Sequence, residues 1–297
     1  MVGELVSVNG VELYLRHFGE PGLPVLVVVH GGPGWDHTYL LPQVSQLAER
    51  RHVVLFDLRG CGRSSRVRPA RSTTAQLINA EMLQPDLIAD DIAALLDLLG
   101  GGSGDVLGFS YGGMVAMRVV DQYPGLVDRL ILASTTAYRD FAEELRASAD
   151  YAARTPLVAG IDFGHPLAAD PDAQDGALAR AMAFDSVPYD IWRLDRRDEW
   201  EAVLRQVLFS DDWNEPYTTG ALRPGAPAEP ARVLREWGRP VLILHGVHDM
   251  GFPVGVARRL HAAVPGSTLA EVPDAAHMAH FDNPDQWLSA IGDFLPE

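Results

Sequence analysis

The pentapeptide Gly108-Phe109-Ser110-Tyr111-Gly112 constrains this chain more than any other stretch. An apolar run at 105–107 precedes it and a helix-like pattern at 114–123 follows, so the serine sits where a strand must turn sharply into a helix. Such a turn strains the serine backbone and leaves no room for side chains beside it. Gly108, Gly112 and Gly113 meet that demand. The Ser110 hydroxyl is then lifted above the sheet edge at a helix N-terminus, whose free N–H groups attract negative charge. A glycine-rich turn with an incidental serine would look the same in isolation, so the rest of the chain has to decide.

Strand and helix signals alternate along most of the sequence. Asn9-Gly10 between alternating apolar runs at 5–8 and 11–18 reads as a hairpin turn. The unbroken apolar run Val25–Val29 suits a strand buried on both faces, and another strand is expected at 53–56. Helices are expected at 41–50, at 85–99 with apolar Ile88, Ile92, Leu95 and Leu99 on one face, at 254–264 and at 284–294 behind an Asn283 cap. Further strands fall at 130–133, 241–245 and 268–272. This alternation predicts an α/β architecture, a mostly parallel sheet with helices on both faces. Between residues 138 and 230 no buried-strand pattern occurs. Helix-like segments alternate there with breaks such as Gly164-His165-Pro166, so we expect a core of residues 1–137 and 231–297 interrupted by a mainly helical cap at 138–230.

Charge and composition remove several kinds of function. The 297-residue chain carries a formal net charge of −16, which disfavours nucleic acid or an anionic membrane as partner. All 24 basic residues are arginine, so no lysine can form a Schiff base or serve as general base. Cys61 is the single cysteine, and an intrachain disulfide is impossible. Residues 1–10 lack a basic-then-apolar leader pattern and no apolar run reaches bilayer length. A cytoplasmic setting and a small-molecule or short-peptide substrate are expected.

A serine hydroxyl becomes a good nucleophile only when a histidine takes its proton, and the histidine needs a carboxylate to orient it. Asp249 follows the 241–245 strand in His245-Gly246-Val247-His248-Asp249 and is the expected acid. The strand after the serine is followed by no carboxylate before Asp140. His277 lies in a loop of small residues beyond the 268–272 strand and is the expected base. His280 is its rival, while His30, His245 and His248 read as structural. An oxyanion would be held by the backbone N–H of Tyr111 and by one from the loop His30-Gly31-Gly32-Pro33-Gly34. Gly32 is the expected donor because Pro33 has none. Gly31 and Trp35, beside that donor, are expected to line the substrate. No metal or cofactor is called for.

The set His30-Gly31-Gly32-Pro33-Gly34, Asp57-x-Arg59-Gly60-x-Gly62-x-Ser64, Gly108-x-Ser110-x-Gly112, Asp249 and His277 resembles the α/β-hydrolase superfamily, over all but the cap. The His-Gly-Gly-Pro-Gly form most resembles its proline iminopeptidase branch. That resemblance implies an eight-stranded α/β-hydrolase sheet and a Ser-Asp-His triad beneath a helical cap. It also implies release of an N-terminal residue, often proline, from short peptides. Cap glutamates bind the free amine in that branch, which makes Glu201 in Asp198-Glu199-Trp200-Glu201 a candidate and Glu215 a second. The branch commonly reads Gly-Gly-Ser-Trp-Gly where this chain reads Gly-Phe-Ser-Tyr-Gly, a form shared with many esterases. The alternative is therefore a carboxylesterase or lactonase acting on a small ester, and a third reading is a ligand-binding relative without catalysis. Haloalkane dehalogenases and epoxide hydrolases place an aspartate where Ser110 stands.

Overall fold

The computed structural model describes residues 3–67, 80–158 and 174–296; the expected break at 164–166 lies outside them. Its strands are β1 (Glu4–Val8), β2 (Val11–Phe18), β3 (Val25–Val29), β4 (His52–Phe56), β5 (Gly104–Phe109), β6 (Val127–Ala133), β7 (Val241–Gly246) and β8 (Thr268–Val272). Asn9 and Gly10 both take positive φ, 46° and 79°, and pair Val8 with Val11 across a tight hairpin. The sheet order is β1-β2-β4-β3-β5-β6-β7-β8, antiparallel through β2/β4 and parallel from β4 to β8. This is the eight-stranded, mostly parallel α/β sheet that the sequence predicts.

The all-apolar strands are explained by cover on both faces. Val27, Val29 and Val106 point into one core with Ile88, Ile92 and Leu95 of α1 (Pro85–Gly100) and Val115 and Val119 of α2 (Tyr111–Gln122). Leu26, Val28, Leu107 and Phe109 point into the other, against Tyr39, Trp200, Trp287 and Ile291. The helix expected at 41–50 is instead a chain of short turns, His37–Leu40, Leu41–Val44 and Ser45–Glu49. Asp36 caps the first of these by accepting from Thr38 N–H, and Pro42 supplies no N–H with which to carry the first turn into a single helix.

Between β6 and β7 the described residues form only helices and turns. These are α3 (Ala142–Ala147), α4 (Ala149–Arg154), α5 (Ala177–Asp185), α6 (Val187–Asp190), α7 (Arg197–Leu204), α8 (Asn214–Thr218) and α9 (Pro230–Trp237). The chain closes with α10 (Val254–Ala263), α11 (Ala279–Asp282) and α12 (Pro284–Phe294), the last capped by Asn283 accepting from Gln286 N–H. The inserted segment is tied to the loops at the sheet's C-terminal edge. Ser210 N–H donates to Gly34 O at 2.8 Å, and the Trp213 indole donates to Arg59 O at 3.1 Å.

Arg59 itself is buried after β4 and forms a bidentate pair with Asp91 of α1, at 2.7 and 2.6 Å. Breaking such a pair on one side leaves a charge in the core without its partner. Arg59→Met should therefore destabilise the fold by about 3–5 kcal/mol. The double variant R59M/D91L should recover most of that loss, with both measured by urea unfolding.

Candidate functional site

Ser110 occupies the turn between β5 and α2 with φ 53° and ψ −119°, a conformation L-residues avoid. Two contacts hold it there. Ser110 N–H donates to Ala133 O at 2.9 Å, and Thr135 Oγ1 donates to Ser110 O at 2.6 Å. The flanking glycines are steric requirements. A Cβ on Gly108 would lie 2.6 Å from Gly112 O, and one on Gly112 would strike the carbonyls of Val29 and His30.

The loop after β8 brings His277 to the serine, with Nε2 3.1 Å from Ser110 Oγ and Nδ1 2.9 Å from Asp249 Oδ2. Asp249 is positioned by the turn after β7, where its Oδ1 accepts from the N–H groups of Gly251 and Phe252, each at 2.8 Å. His248 N–H donates to Ala275 O at 2.9 Å, tying the acid loop to the histidine loop. Phe109 and Phe252 close over the His277 ring with centroids 5.4 and 5.5 Å away. Burial alone would drive Asp249 upward, yet the facing His277 and His245 hold it well below the usual carboxylate range. Burial likewise opposes a charge on His277, but Asp249, joined by Asp190, raises the imidazole above its ordinary value.

The other histidines and acids are engaged elsewhere. His280 is buried among the rings of Tyr39, Phe109, Trp200 and Trp287, and burial pushes it down to about 3. His30 Nε2 accepts from Leu58 N–H at 3.0 Å, and Asp140 is exposed and paired with Arg259. In the loop after β3, Gly31 N–H donates to Tyr39 OH at 2.8 Å and Gly34 N–H donates to Cys61 Sγ at 3.4 Å. Pro33 has no N–H, which leaves Gly32 as the loop's expected oxyanion donor, together with Tyr111 at the first position of α2. The Trp35 indole lies against Gly32. Gly31 packs on the serine itself, for its Cβ would fall 2.6 Å from Ser110 Cβ.

The two glutamates expected to bind an amine lie on α7 and α8. Glu201 is gripped on α7 by Arg197 at 2.7 Å and Arg205 at 3.1 Å, one turn either side, and Glu215 is exposed on the first turn of α8. The carboxylate whose charge reaches His277 from the inserted segment is Asp190, the last residue of α6. Its Oδ2 accepts from Ser186 Oγ at 2.7 Å and its carbonyl from Met278 N–H at 2.8 Å. Burial pushes this carboxyl up to about 6, against the opposing effects of Ser186 and His277, although part of the residue remains open. Nothing local marks Asp190 in the sequence, because only the fold carries α6 to the histidine loop.

Residues 190–193 form a strap between the loops that carry Asp249 and His277. Asp282 accepts from the N–H groups of Trp192, Arg193 and Ala276 at 2.8, 3.0 and 2.9 Å. The Trp192 indole stacks on His248 at 3.7 Å, and Arg154 covers it at 5.0 Å. A cavity of about 1040 Å³ opens beside Tyr111 and Phe252, walled by Met114, Tyr138, Phe141 and Leu222. A carbonyl held between Ser110 and the Gly32 and Tyr111 N–H groups could undergo acyl transfer.

Residues 24–284 match the alpha/beta hydrolase fold family. The chain is similar to a proline iminopeptidase of Levilactobacillus brevis, 29% identical over 97% of this chain and 96% of the relative. It is also similar to the biotin biosynthesis bifunctional protein BioHC of Teredinibacter turnerae, 24% identical over 93% of this chain. The matched region is 45% of that longer protein. Among solved structures, the enol-lactonase of Burkholderia xenovorans LB400 superposes with a TM-score of 0.68 at 20% identity, covering 99% of this chain and all of that one.

A histidine acts as base only while neutral, so the raised His277 pKa fixes the acid side of the pH profile. The rate of Ser110 modification by a fluorophosphonate should fall as pH drops, with its midpoint above the ordinary imidazole value of 6.5. Asp249→Asn should lower the plateau rate by about 10⁴, with the protein still folded.

Proposed function

This chain belongs to the α/β-hydrolase fold family, and we propose that it is a serine hydrolase working through Ser110, His277 and Asp249. The single observation that carries this reading is the unbroken hydrogen-bonded line from Ser110 Oγ through His277 to Asp249. Ser110 Oγ attacks a substrate carbonyl as His277 Nε2 takes its proton, while Asp249 stabilises the imidazolium. The N–H groups of Tyr111 and Gly32 hold the oxyanion. Collapse of this intermediate expels the leaving group, which receives the proton from His277. Water then attacks the acyl-enzyme, giving its proton to His277, and breakdown returns the proton to Ser110 as the acid departs.

Within that chemistry, the substrate is a short peptide with a free N-terminal residue, cleaved as by a proline iminopeptidase. The likeness to such enzymes over nearly the whole chain supports this. So does Asp190, a desolvated carboxylate facing the His277 region that an ammonium group would satisfy. Asp190 thus takes over the amine-binding role expected of Glu201. A second reading, an esterase or lactonase, draws support from the cavity wall. Arg223 there is paired with Asp86, and Arg232 with Glu229 and Glu236. Arg235, which donates to the Ala263 carbonyl, is paired with no carboxylate among the described residues, a positive excess that suits an ester bearing a carboxylate.

Fluorophosphonate labelling should occur in the wild type and vanish in Ser110→Ala. An unlabelled but folded wild type would leave the ligand-binding reading standing. Proline β-naphthylamide should be cleaved in preference to p-nitrophenyl acetate and its longer homologues. Asp190→Asn should lower kcat/KM for the prolyl amide by about 30-fold or more, the loss of a buried charge pair worth on the order of 2 kcal/mol. An unchanged value would remove Asp190 from the amine site, and turnover of esters alone would establish the second reading.

A further inference from the structure

Asp249 is held by more than a triad needs. Its Oδ1 is saturated by the Gly251 and Phe252 N–H groups, and Oδ2 faces two imidazoles, His277 Nδ1 at 2.9 Å and His245 Nε2 at 3.2 Å. His245 is fully buried near the end of β7, and its Nε2 also lies 2.8 Å from Phe252 O. A carbonyl oxygen can only accept, so Nε2 carries the hydrogen; it is directed to Phe252 O at 2.8 Å and lies 3.2 Å from Asp249 Oδ2, a secondary contact with the carboxylate. The opposite nitrogen, Nδ1, is buried with no hydrogen-bond partner among the described residues. Burying an unpaired ring nitrogen is costly, and an apolar side chain would avoid that cost. What the imidazole supplies in return is the donor to Asp249.

The geometry points to His245 as a positioning residue of the reacting pair, one that acts through Asp249 by drawing part of the carboxylate's hydrogen-bonding capacity away from His277. A carboxylate that accepts an extra hydrogen bond is a weaker base and pulls less strongly on each remaining partner. His245 thereby limits how firmly Asp249 holds a proton on His277, which keeps more of the imidazole neutral and able to take the Ser110 proton. As His277 becomes cationic, the Nε2 hydrogen of His245 can lean further toward Phe252 O and free Oδ2 for the imidazolium, with no bond made or broken.

The neighbouring charges that bear on the pair are Asp190 of α6, Asp282 and His280 of α11, and Glu271, the cross-strand partner of His245 on β8. All of them stay in place when His245 is changed, so a difference between variants reports His245. The inference rests on the proposed roles of Ser110 and His277, and the test separates the two. The rate of Ser110 labelling by a fluorophosphonate is measured from about pH 5 to about pH 9 in the wild type, His245→Leu and His245→Gln, normalised to final labelled protein. In His245→Leu the acid limb should move up by about half a pH unit or more. In His245→Gln, whose amide N–H can reach the Nε2 position, the limb should return towards that of the wild type. A purely structural role would lower the yield of active protein without moving the limb.

Coincident limbs in His245→Leu and the wild type would overturn the inference, as would a glutamine variant shifted as far as leucine. Wild-type protein that takes no label would remove the Ser110 reading and this one together. Independently of any variant, the ¹⁵N resonances of His245 in the folded wild type should report the Nε2–H tautomer. A neutral ring protonated on Nδ1 would overturn the assignment.

Discussion

The backbone of Ser110 is the constraint on which the architecture rests. Its left-handed φ costs free energy that a free chain would not bear. It persists because β3, β6 and α2 press on the turn from all sides. The Ala133 carbonyl and the Thr135 hydroxyl pin its amide and carbonyl, and Gly108 and Gly112 let the backbones of the turn and β3 approach to contact. The parallel sheet supplies the rigidity. β5 is flanked by β3 and β6 and buried along its whole length, so the strained residue stands at the tip of a strand held on every side.

From that fixed point the geometry propagates outward. The turn after β7 and the loop after β8 are joined by their own backbone hydrogen bonds, so the carboxylate and the imidazole arrive as one unit at the serine. Electrostatics completes what the backbone begins. Asp249 is ionised in the interior because two imidazoles and two amides surround it, and His277 carries a raised pKa because burial loses to the facing carboxylates. Cys61, the one thiol, is buried and pushed up in pKa, which removes it as a competing nucleophile.

Much of this was legible in the sequence, where local order and three-dimensional order coincide. Val25–Val29 is unbroken because the strand is covered on both faces, and Ser110, Asp249 and His277 follow strands whose C-terminal ends share one edge. Reading failed where tertiary contact alone decides. Asp190 is an ordinary helix-end aspartate until α6 is carried onto the histidine loop, and the His245–Asp249 contact depends on a turn that spacing does not reveal. The partners of Glu201 in the structure were legible in the sequence. Arg197 and Arg205 stand four residues to either side of it and occupy it on its own helix. The helix at 41–50 failed because apolar spacing continues through short turns of different pitch.

The strap at residues 190–193 bears on how anything reaches Ser110. It is bonded to Ala276 through Asp282 and to Met278 through the Asp190 carbonyl, and stacked on His248 beside Asp249. Lifting this edge of the inserted segment would drag His277 and Asp249 away from the serine, so the gate on that side is welded to the machinery it would uncover. The wall of the neighbouring cavity is coupled to the histidine as well, since Phe141 packs on Phe252 and Phe252 covers the His277 ring. The segment that covers His277 is then also part of the frame that holds it.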